Sequence, residues 1–211
     1  MASLAPVAPA AEVAVAPDVA SVQTAMTVNV RLQTSLGPIL LLIEKQRAPI
    51  TAANFLRYVD QKRLDDCSFY RAMTVGDAGE LGLVQAGLRG NPKKSLKPIA
   101  HEPTTLTGLS HVDGALSMAR AAPGTATSDF FIVLGDLTSL DAKPAAAGST
   151  DIGDPGYAVF GHVVDGMDVV RAIIQQPRSA SAAVAAMQGQ MLEVPVKIIT
   201  ARRAQSESIQ E

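Results

Sequence analysis

The sequence predicts a mainly β protein, a closed eight-stranded antiparallel β-barrel capped by two α-helices. Short segments in which apolar and polar residues alternate recur along the chain, and this is the period of a half-buried strand. Only two segments show helical spacing, and helices do not alternate with strands, which argues against a parallel βαβ sheet. The chain has 211 residues, 47% of them hydrophobic. That is enough for one domain whose strands close around a filled interior.

The strands are expected to begin after an N-terminal tether. Residues 1–26 are rich in Ala, Pro and Val, a composition typical of a flexible, partly polyproline-like segment. Alternation starts at Val28, and a turn at Leu36-Gly37-Pro38 joins the first two strands into a hairpin. The predicted strands are residues 28–33, 39–44, 69–73, 83–85, 115–119, 130–134, 157–164 and 194–201.

Two segments carry apolar residues at helical spacing. The first is 52–61, with Thr51 as its candidate N-cap. The second begins at Met167 and ends before Pro177, which cannot continue a helix. Residues 178–193 are rich in Ala, Ser and Gln and fit either a loop or a weak helical turn. These boundaries predict a domain over 27–201 and a polar C-terminal tail over 202–211.

Charge and composition exclude several classes of function. The formal net charge of −2 indicates no basic surface for nucleic-acid phosphates, so no nucleic-acid partner is expected. The three histidines and one cysteine show no metal-ligand spacing, so we expect no metal and no cofactor. Cys67 has no second cysteine with which to form an intrachain disulfide. No apolar run reaches the roughly 18 residues that a membrane span needs.

The N-terminal segment also bears on the compartment. It lacks a positively charged n-region and is interrupted by prolines, so it makes a poor signal peptide as it stands. It fits a linker that remains after a signal is removed, and it also fits a cytoplasmic tail. We expect the periplasm, with the cytoplasm as the alternative, and we expect a monomer.

Six short motifs follow one another along the chain. They are Ala48-Pro49 with Asn54-Phe55, Ser68–Arg71, Val84–Gly87, Leu116–Arg120, Ser128–Ile132, and Leu140-Asp141 with Val159–Val170. In this order they resemble the cyclophilin family of peptidyl-prolyl cis/trans isomerases over residues 28–175. Tyr70 stands where most members have His, and in this the sequence resembles a bacterial branch of the family that carries an aromatic residue there.

The resemblance implies an enzyme that accelerates rotation about X-Pro bonds in proline-containing polypeptides and so assists protein folding. The barrier to this rotation is about 18–20 kcal/mol, and no covalent bond is broken. A catalyst therefore needs no nucleophile, metal or cofactor. It needs an apolar pocket for the proline ring and a fixed cationic donor that favours the twisted state.

The resemblance also implies the residues of the site. Arg71 corresponds to the catalytic arginine, and its charged, rigid guanidinium suits that role. Gln85 is expected to hold the substrate backbone, and Phe131 to form the floor of the proline pocket. The other substrate-binding positions are Leu83 and Leu140 as walls, Ala119 and Arg120 for residues before proline, Tyr157 as a cap, and Asp129 beside Arg71.

Strand alternation predicts how these side chains are shared between two faces. Phe69 and Arg71 are expected on one face. Leu83 and Gln85 are expected to share a face in the same way. Of the adjacent pair Phe130-Phe131, one ring should enter the barrel core and the other should meet the pocket.

Departures from the family pattern keep a second function open. Gly82 stands where the family has a pocket Phe, Leu83 replaces its Met, and Asp129 replaces its Gln. Asp129 could either orient Arg71 or neutralise it. The alternative function is a proline-peptide binding or chaperone module with the same fold and little catalysis. A lipocalin-like barrel for small ligands is a third alternative, but it leaves the ordered motifs unexplained.

Overall fold

The computed structural model describes residues 26–76, 81–145, 153–182 and 184–204. The strands are β1 Thr27–Thr34, β2 Gly37–Glu44, β3 Cys67–Val75, β4 Leu81–Gly87, β5 Ala115–Met118, β6 Phe130–Leu134, β7 Val159–Asp165, β8 Arg178–Ser179 and β9 Met191–Ala204. The helices are α1 Pro49–Asp60, α2 Thr104–Thr107 and α3 Met167–Ile174. The predicted tether up to residue 25, and the predicted tail from residue 205 onwards, lie outside the described residues. None of the described helices is both long and apolar enough to cross a membrane.

Eight of these strands form one closed antiparallel sheet. Their order is β1-β2-β7-β5-β6-β4-β3-β9, and β9 pairs back onto β1. This confirms the predicted barrel. The two-residue strand β8 is an addition that pairs only with the start of β9.

The barrel interior is filled by aromatic and branched side chains. Phe130 of β6 packs edge-on against Phe55 of α1, with the ring centroids 5.4 Å apart. It also packs against Phe69 of β3 at 6.1 Å. Both helices predicted from the sequence are present: α1 packs against β2, β7 and β9, and α3 against β2, β3, β4 and β6.

Helix α1 begins earlier than its sequence pattern predicts, and it is capped from a distant loop. Ala48 is the N-cap and Pro49 the first helical residue, so the prediction of Thr51 as N-cap is wrong. Proline suits the first turn because its missing N–H has no intrahelical partner there. The buried carboxylate of Glu102 instead accepts hydrogen bonds from the backbone N–H of Ile50 (3.1 Å) and of Thr51 (2.7 Å). The Thr51 hydroxyl also donates to it, at 2.6 Å.

A β-bulge in β3 changes which side chains share a face. Phe69 pairs with Ala86 and Arg71 with Gln85, so Tyr70 is an extra residue on β3. Phe69 lies in the barrel core, whereas Tyr70 and Arg71 both point into a cleft outside it. The prediction that Phe69 and Arg71 share a face is therefore wrong, because the bulge interrupts the alternation.

The described residues of the ambiguous segment 178–193, all but residue 183, are tied to the barrel wall. The segment contains β8, a 3-10 turn at Ala185–Met187 and the first residues of β9. The backbone N–H of Ala72 donates to the carbonyl of Gln190 at 2.8 Å, which ties this segment to β3. Strand β9 is longer at both ends than the predicted 194–201, and it ends three residues into the predicted tail.

Candidate active site

A cleft of about 740 Å³ lies on the outer face of strands β3, β4 and β6. Every site residue predicted from the sequence lines it: Arg71, Leu83, Gln85, Ala119, Arg120, Asp129, Phe131, Leu140 and Tyr157. The sequence motifs are spread over some ninety positions of the chain, and the sheet brings them together because β4 and β5 both pair with β6.

The floor of the cleft is apolar and separate from the barrel core. Phe131 is 3% exposed and packs in a small cluster that includes Leu83. The ring of Tyr157 meets Phe131 edge-on, with centroids 5.6 Å apart. Phe130, the neighbour of Phe131 in sequence, lies in the core instead. The two rings thus divide between core and cleft as strand alternation predicts.

Two amide oxygens hold the guanidinium of Arg71 above this floor. Arg71 Nη1 donates to Gln85 Oε1 at 2.8 Å. Arg71 Nε and Nη2 both donate to Gln190 Oε1, at 2.9 and 2.6 Å. Burial lowers the pKa of Arg71, but an arginine side chain keeps its proton in proteins. The acceptors are neutral, so the full positive charge stays available in the cleft.

A chain of hydrogen bonds runs from Arg71 to Asp129. Gln85 accepts from Arg71 and donates through Nε2 to the hydroxyl of Tyr70 at 2.6 Å. Tyr70 in turn donates to Asp129 Oδ2 at 2.9 Å. Among the ion pairs of the described residues, none joins Asp129 to Arg71. The carboxylate therefore reaches Arg71 only through two neutral side chains and does not neutralise it directly.

The Tyr70 hydroxyl remains a hydrogen-bond donor to Asp129 at ordinary pH. Burial, and then the negative charge of Asp129, raise the pKa of the Tyr70 phenol above its usual value. The phenol proton is thus kept for the bond to Asp129. With its hydroxyl as acceptor for Gln85, Tyr70 fixes the amide so that Gln85 Oε1 faces Arg71.

Gly87 makes room for the carboxylate of Asp129. A Cβ at Gly87 would lie 2.1 Å from Asp129 Oδ1, and the φ of this residue is +139°. Asp129 Oδ1 also accepts from the backbone N–H of Arg89 (3.1 Å) and from the Ser128 hydroxyl (2.9 Å). A side chain at position 87 would push Asp129 away from these partners.

Gly82, at the position where the resemblance implies a pocket Phe, faces away from the cleft. A Cβ at Gly82 would meet the carbonyl oxygen of Met73 at 2.2 Å and Ile174 Cδ1 at 2.8 Å. No larger side chain fits there without displacing the backbone of β3. Met73 and Leu83 line the cleft at this level.

Arg120 supports the opposite wall of the cleft. Its Cζ lies 4.7 Å above the ring of Tyr157, and its Nε donates to the Gly156 carbonyl at 3.2 Å. The neighbouring Ala119 donates its backbone N–H to the carbonyl of Asp129 at 2.8 Å, and Tyr157 donates its own to Leu140 at 3.0 Å. These bonds fix the wall that is predicted to take the residues before proline.

Beneath Phe131 lies a histidine that sequence reasoning missed. His111 is fully buried and stacks on Phe131 with ring centroids 5.9 Å apart. Its Nδ1 lies 2.5 Å from Asp141 Oδ1, and its Nε2 lies 2.9 Å from the Ser117 hydroxyl. Burial lowers the pKa of His111, against the opposing effect of Asp141, and so favours the neutral ring.

The segment 178–193 supplies the other missed side chains. Val184, Met187 and Met191 line the cleft, and Gln190 holds the guanidinium of Arg71. Nothing in an Ala/Ser/Gln-rich stretch distinguishes one glutamine as a partner of a distant arginine. Tyr70 was within a recognised motif, but only the bulge shows that it turns into the cleft.

This fold and cleft agree with what comparison with known proteins finds. The family model described as cyclophilin type peptidyl-prolyl cis-trans isomerase/CLD matches residues 29–202. The chain belongs to the cyclophilin family. The predicted family and activity are thereby confirmed, and the substrates of cyclophilins are proline-containing peptides.

Individual relatives of this cyclophilin include bacterial enzymes. A peptidyl-prolyl cis-trans isomerase of Acinetobacter baylyi is 35% identical over 176 residues, which cover 81% of this chain and 82% of the relative. Peptidyl-prolyl cis-trans isomerase B of Escherichia coli is 34% identical over 149 residues, 68% of this chain and 82% of the relative. Among solved structures, a cyclophilin of Cryptosporidium parvum, determined in the presence of the dipeptide ala-pro, superposes with a TM-score of 0.63. The two chains are 19% identical, and the match covers 84% of this chain and 99% of the Cryptosporidium chain. At this identity the likeness supports the fold alone.

Proposed function

We propose that this cyclophilin isomerises X-Pro bonds in the cleft above Phe131, with Arg71 as its catalytic residue. The observation that carries the proposal is the pairing of an uncompensated guanidinium with an apolar floor. Arg71 is held by Gln85 and Gln190 and by no carboxylate of the described residues. A charge that is fixed before the reaction favours a polar transition state at no cost of reorganisation.

Among the described residues, the hydrogen bonds of Arg71 leave one donor free for the substrate. A guanidinium carries five N–H groups. Four are directed at protein acceptors: Nε and one Nη2 hydrogen at Gln190, one Nη1 hydrogen at Gln85, and the second Nη2 hydrogen at the sulfur of Met73, 3.7 Å away. The remaining Nη1 hydrogen is the one that we assign to the reaction.

The apolar floor and the free donor act at the same moment of the rotation. Twisting the X-Pro bond breaks amide resonance and turns the proline nitrogen into a better acceptor. A ring packed on Phe131 and Leu83 would exclude water from that nitrogen, so that the hydrogen bond from Arg71 strengthens only in the twisted state. Interactions stronger in the transition state than in the ground state raise the rate.

Gln85 is suited to hold the substrate backbone while the bond rotates. One of its two amide hydrogens is donated to Tyr70. The other has no acceptor in the part of the chain that the structure describes and is available for a substrate carbonyl. The direction of this amide is set at both ends, by Arg71 and by Tyr70. A substrate carbonyl would thus meet a donor that needs no reorientation.

The test is the isomerisation of an Ala-Pro peptide, followed by NMR exchange between the two isomers. Arg71→Ala should lower kcat/KM by roughly 10²–10³-fold, as removal of one preorganised donor does. Arg31→Ala is the matched control, since Arg31 is an exposed arginine of β1 outside the cleft. Equal isomerisation rates for the folded Arg71 variant and wild type would contradict the proposed catalytic role of Arg71. A peptide that binds without exchange between isomers would favour the binding-module alternative.

The periplasmic location, the monomeric state and the lack of a nucleic-acid partner stay predictions.

A further inference from the structure

Two arginines flank the point at which β6 enters the cleft. Phe130, the first residue of β6, is paired with Ala86 of β4 on one side and with Met118 of β5 on the other. Arg89 follows the end of β4 and Arg120 follows the end of β5. The two arginines therefore stand on the same rim of the cleft, one on each side of Asp129.

Neither guanidinium on this rim has an acidic partner among the described residues. Arg89 is exposed, with its Cζ 5.0 Å above the ring of Tyr70. Arg120 lies over Tyr157 and donates to the Gly156 carbonyl. The ion pairs formed by described side chains include neither of them.

The single carboxylate of the described lining is already occupied. Asp129 accepts hydrogen bonds from Tyr70, from Ser128 and from the backbone of Arg89. Charged side chains of the cleft are thus three arginines against one aspartate, although the whole chain carries a net charge of −2. The positive sign of the cleft is local and does not follow from the composition of the chain.

We propose that the rim between Arg89 and Arg120 is a subsite for an acidic side chain of the substrate, on the N-terminal side of the X-Pro bond. The inference rests on the proposed function, because it assigns a substrate class to the same cleft. The N-terminal side follows from Ala119 and Arg120, which are the positions predicted to take residues before proline. A carboxylate matches the planar fork of a guanidinium, and both rim guanidiniums are held in place by stacking on aromatic rings.

The experiment compares peptides that differ only two positions before proline, where they carry Glu, Gln or Lys. NMR titration and exchange spectroscopy on the same samples give Kd and kcat/KM without a coupling protease. We expect affinity to decrease in the order Glu, Gln, Lys. The Kd of the Gln peptide should be roughly threefold to tenfold higher than that of the Glu peptide at low salt. The gap should shrink in about 0.5 M salt, because exposed charges are screened.

Arg89→Gln shows whether the rim causes this order. The ratio of Kd values for the Gln and Glu peptides should fall towards one in this variant, while Arg31→Gln, outside the cleft, should keep the wild-type ratio. Equal Kd values for the Glu and Gln peptides in the wild type would overturn the subsite. So would a ratio unchanged by Arg89→Gln. If all three peptides bind but none is isomerised, the proposed function fails while the Kd ratio still decides the subsite.

Discussion

Gln190 and Arg71 are joined by two hydrogen bonds to one oxygen. Oε1 of Gln190 lies 2.9 Å from Nε and 2.6 Å from Nη2 of Arg71. The amide of Gln190 is turned this way because its Nε2 donates to the Ala186 carbonyl at 3.2 Å. A turn that precedes the last strand of the barrel thus sets the direction of the proposed catalytic group, and Gln190 acts as a positioning residue.

Gln190→Glu should separate activity from stability. The new carboxylate has the same shape, but it would neutralise Arg71, so we expect kcat to fall by about tenfold or more. The melting temperature should change little, because the new ion pair with Arg71 offsets the lost hydrogen bond from Nε2 to the Ala186 carbonyl. Both are measured on the same preparation, by NMR exchange and by thermal unfolding.

The matched control is Gln176→Glu, since the side chain of Gln176 also donates to a carbonyl four residues back, that of Ala172, but lies outside the cleft. A purely structural role for Gln190 predicts that activity falls only as far as stability does. Loss of activity in step with the melting temperature would therefore contradict the positioning role.

Tyr70→Phe should break the chain between Asp129 and Gln85. The variant leaves a carboxylate oxygen and an amide hydrogen without their partner, which costs about 1–3 kcal/mol of unfolding free energy. kcat should fall severalfold, because the Gln85 amide is then fixed only by Arg71. Urea unfolding and the exchange assay measure the two effects.

A double-mutant cycle tests whether these residues act as one unit. Asp129→Asn alone, Tyr70→Phe alone and the double variant are compared with wild type. Residues in one hydrogen-bond network give non-additive effects, so the double variant should lose less than the sum of the single changes. Additive losses would show that Asp129 and Tyr70 act separately, against the chain described above.

His111→Asn should lower kcat, and it should also reduce the loss of folding stability at acid pH. The folded state lowers the pKa of His111 because the ring is buried. The unfolded state therefore binds this proton more readily, and stability that is present above the unfolded pKa of about 6.5 is lost as the pH falls towards the folded pKa. Between pH 7 and 5 the wild type should lose more unfolding free energy than the variant, and kcat should fall because Phe131 loses its stacked support.

His162→Asn is the control, since His162 lies on β7 and does not line the cleft. Identical pH profiles of stability for His111→Asn and wild type would rule out this histidine as the acid-sensitive group.

The barrel and the content of the cleft follow from local patterns. Period-two alternation puts Phe130 and Phe131 on opposite faces, and the family resemblance assigns Phe131 to the cleft, where the structure places it. The other lining positions named from the sequence also come from the family motifs. Such patterns succeed where a strand keeps a regular register from one end to the other, as β6 does between β4 and β5.

Three features could not be predicted, because each depends on contacts between distant parts of the chain. The bulge at Tyr70 is fixed by the partners of β3 on both sides and leaves no local signal. Thr51 is a residue type that is common at helix N-caps, but Glu102 supplies the capping carboxylate. Gln190 stands in a stretch of weak pattern, and its importance arises only when the turn is placed beside Arg71.

The pairing of β1 with β9 has a consequence for biosynthesis. Asn29 and Ala204 are opposite each other in the closed sheet, so the ring closes through residues separated by nearly the whole described chain. Such non-local contacts form late, since the entropy of closing the long loop must first be overcome. On the ribosome, β1 and β3 would keep open edges until β9 emerges, and Gln190 emerges just ahead of it. A nascent cyclophilin of this kind would thus remain catalytically incomplete until its final strand is made.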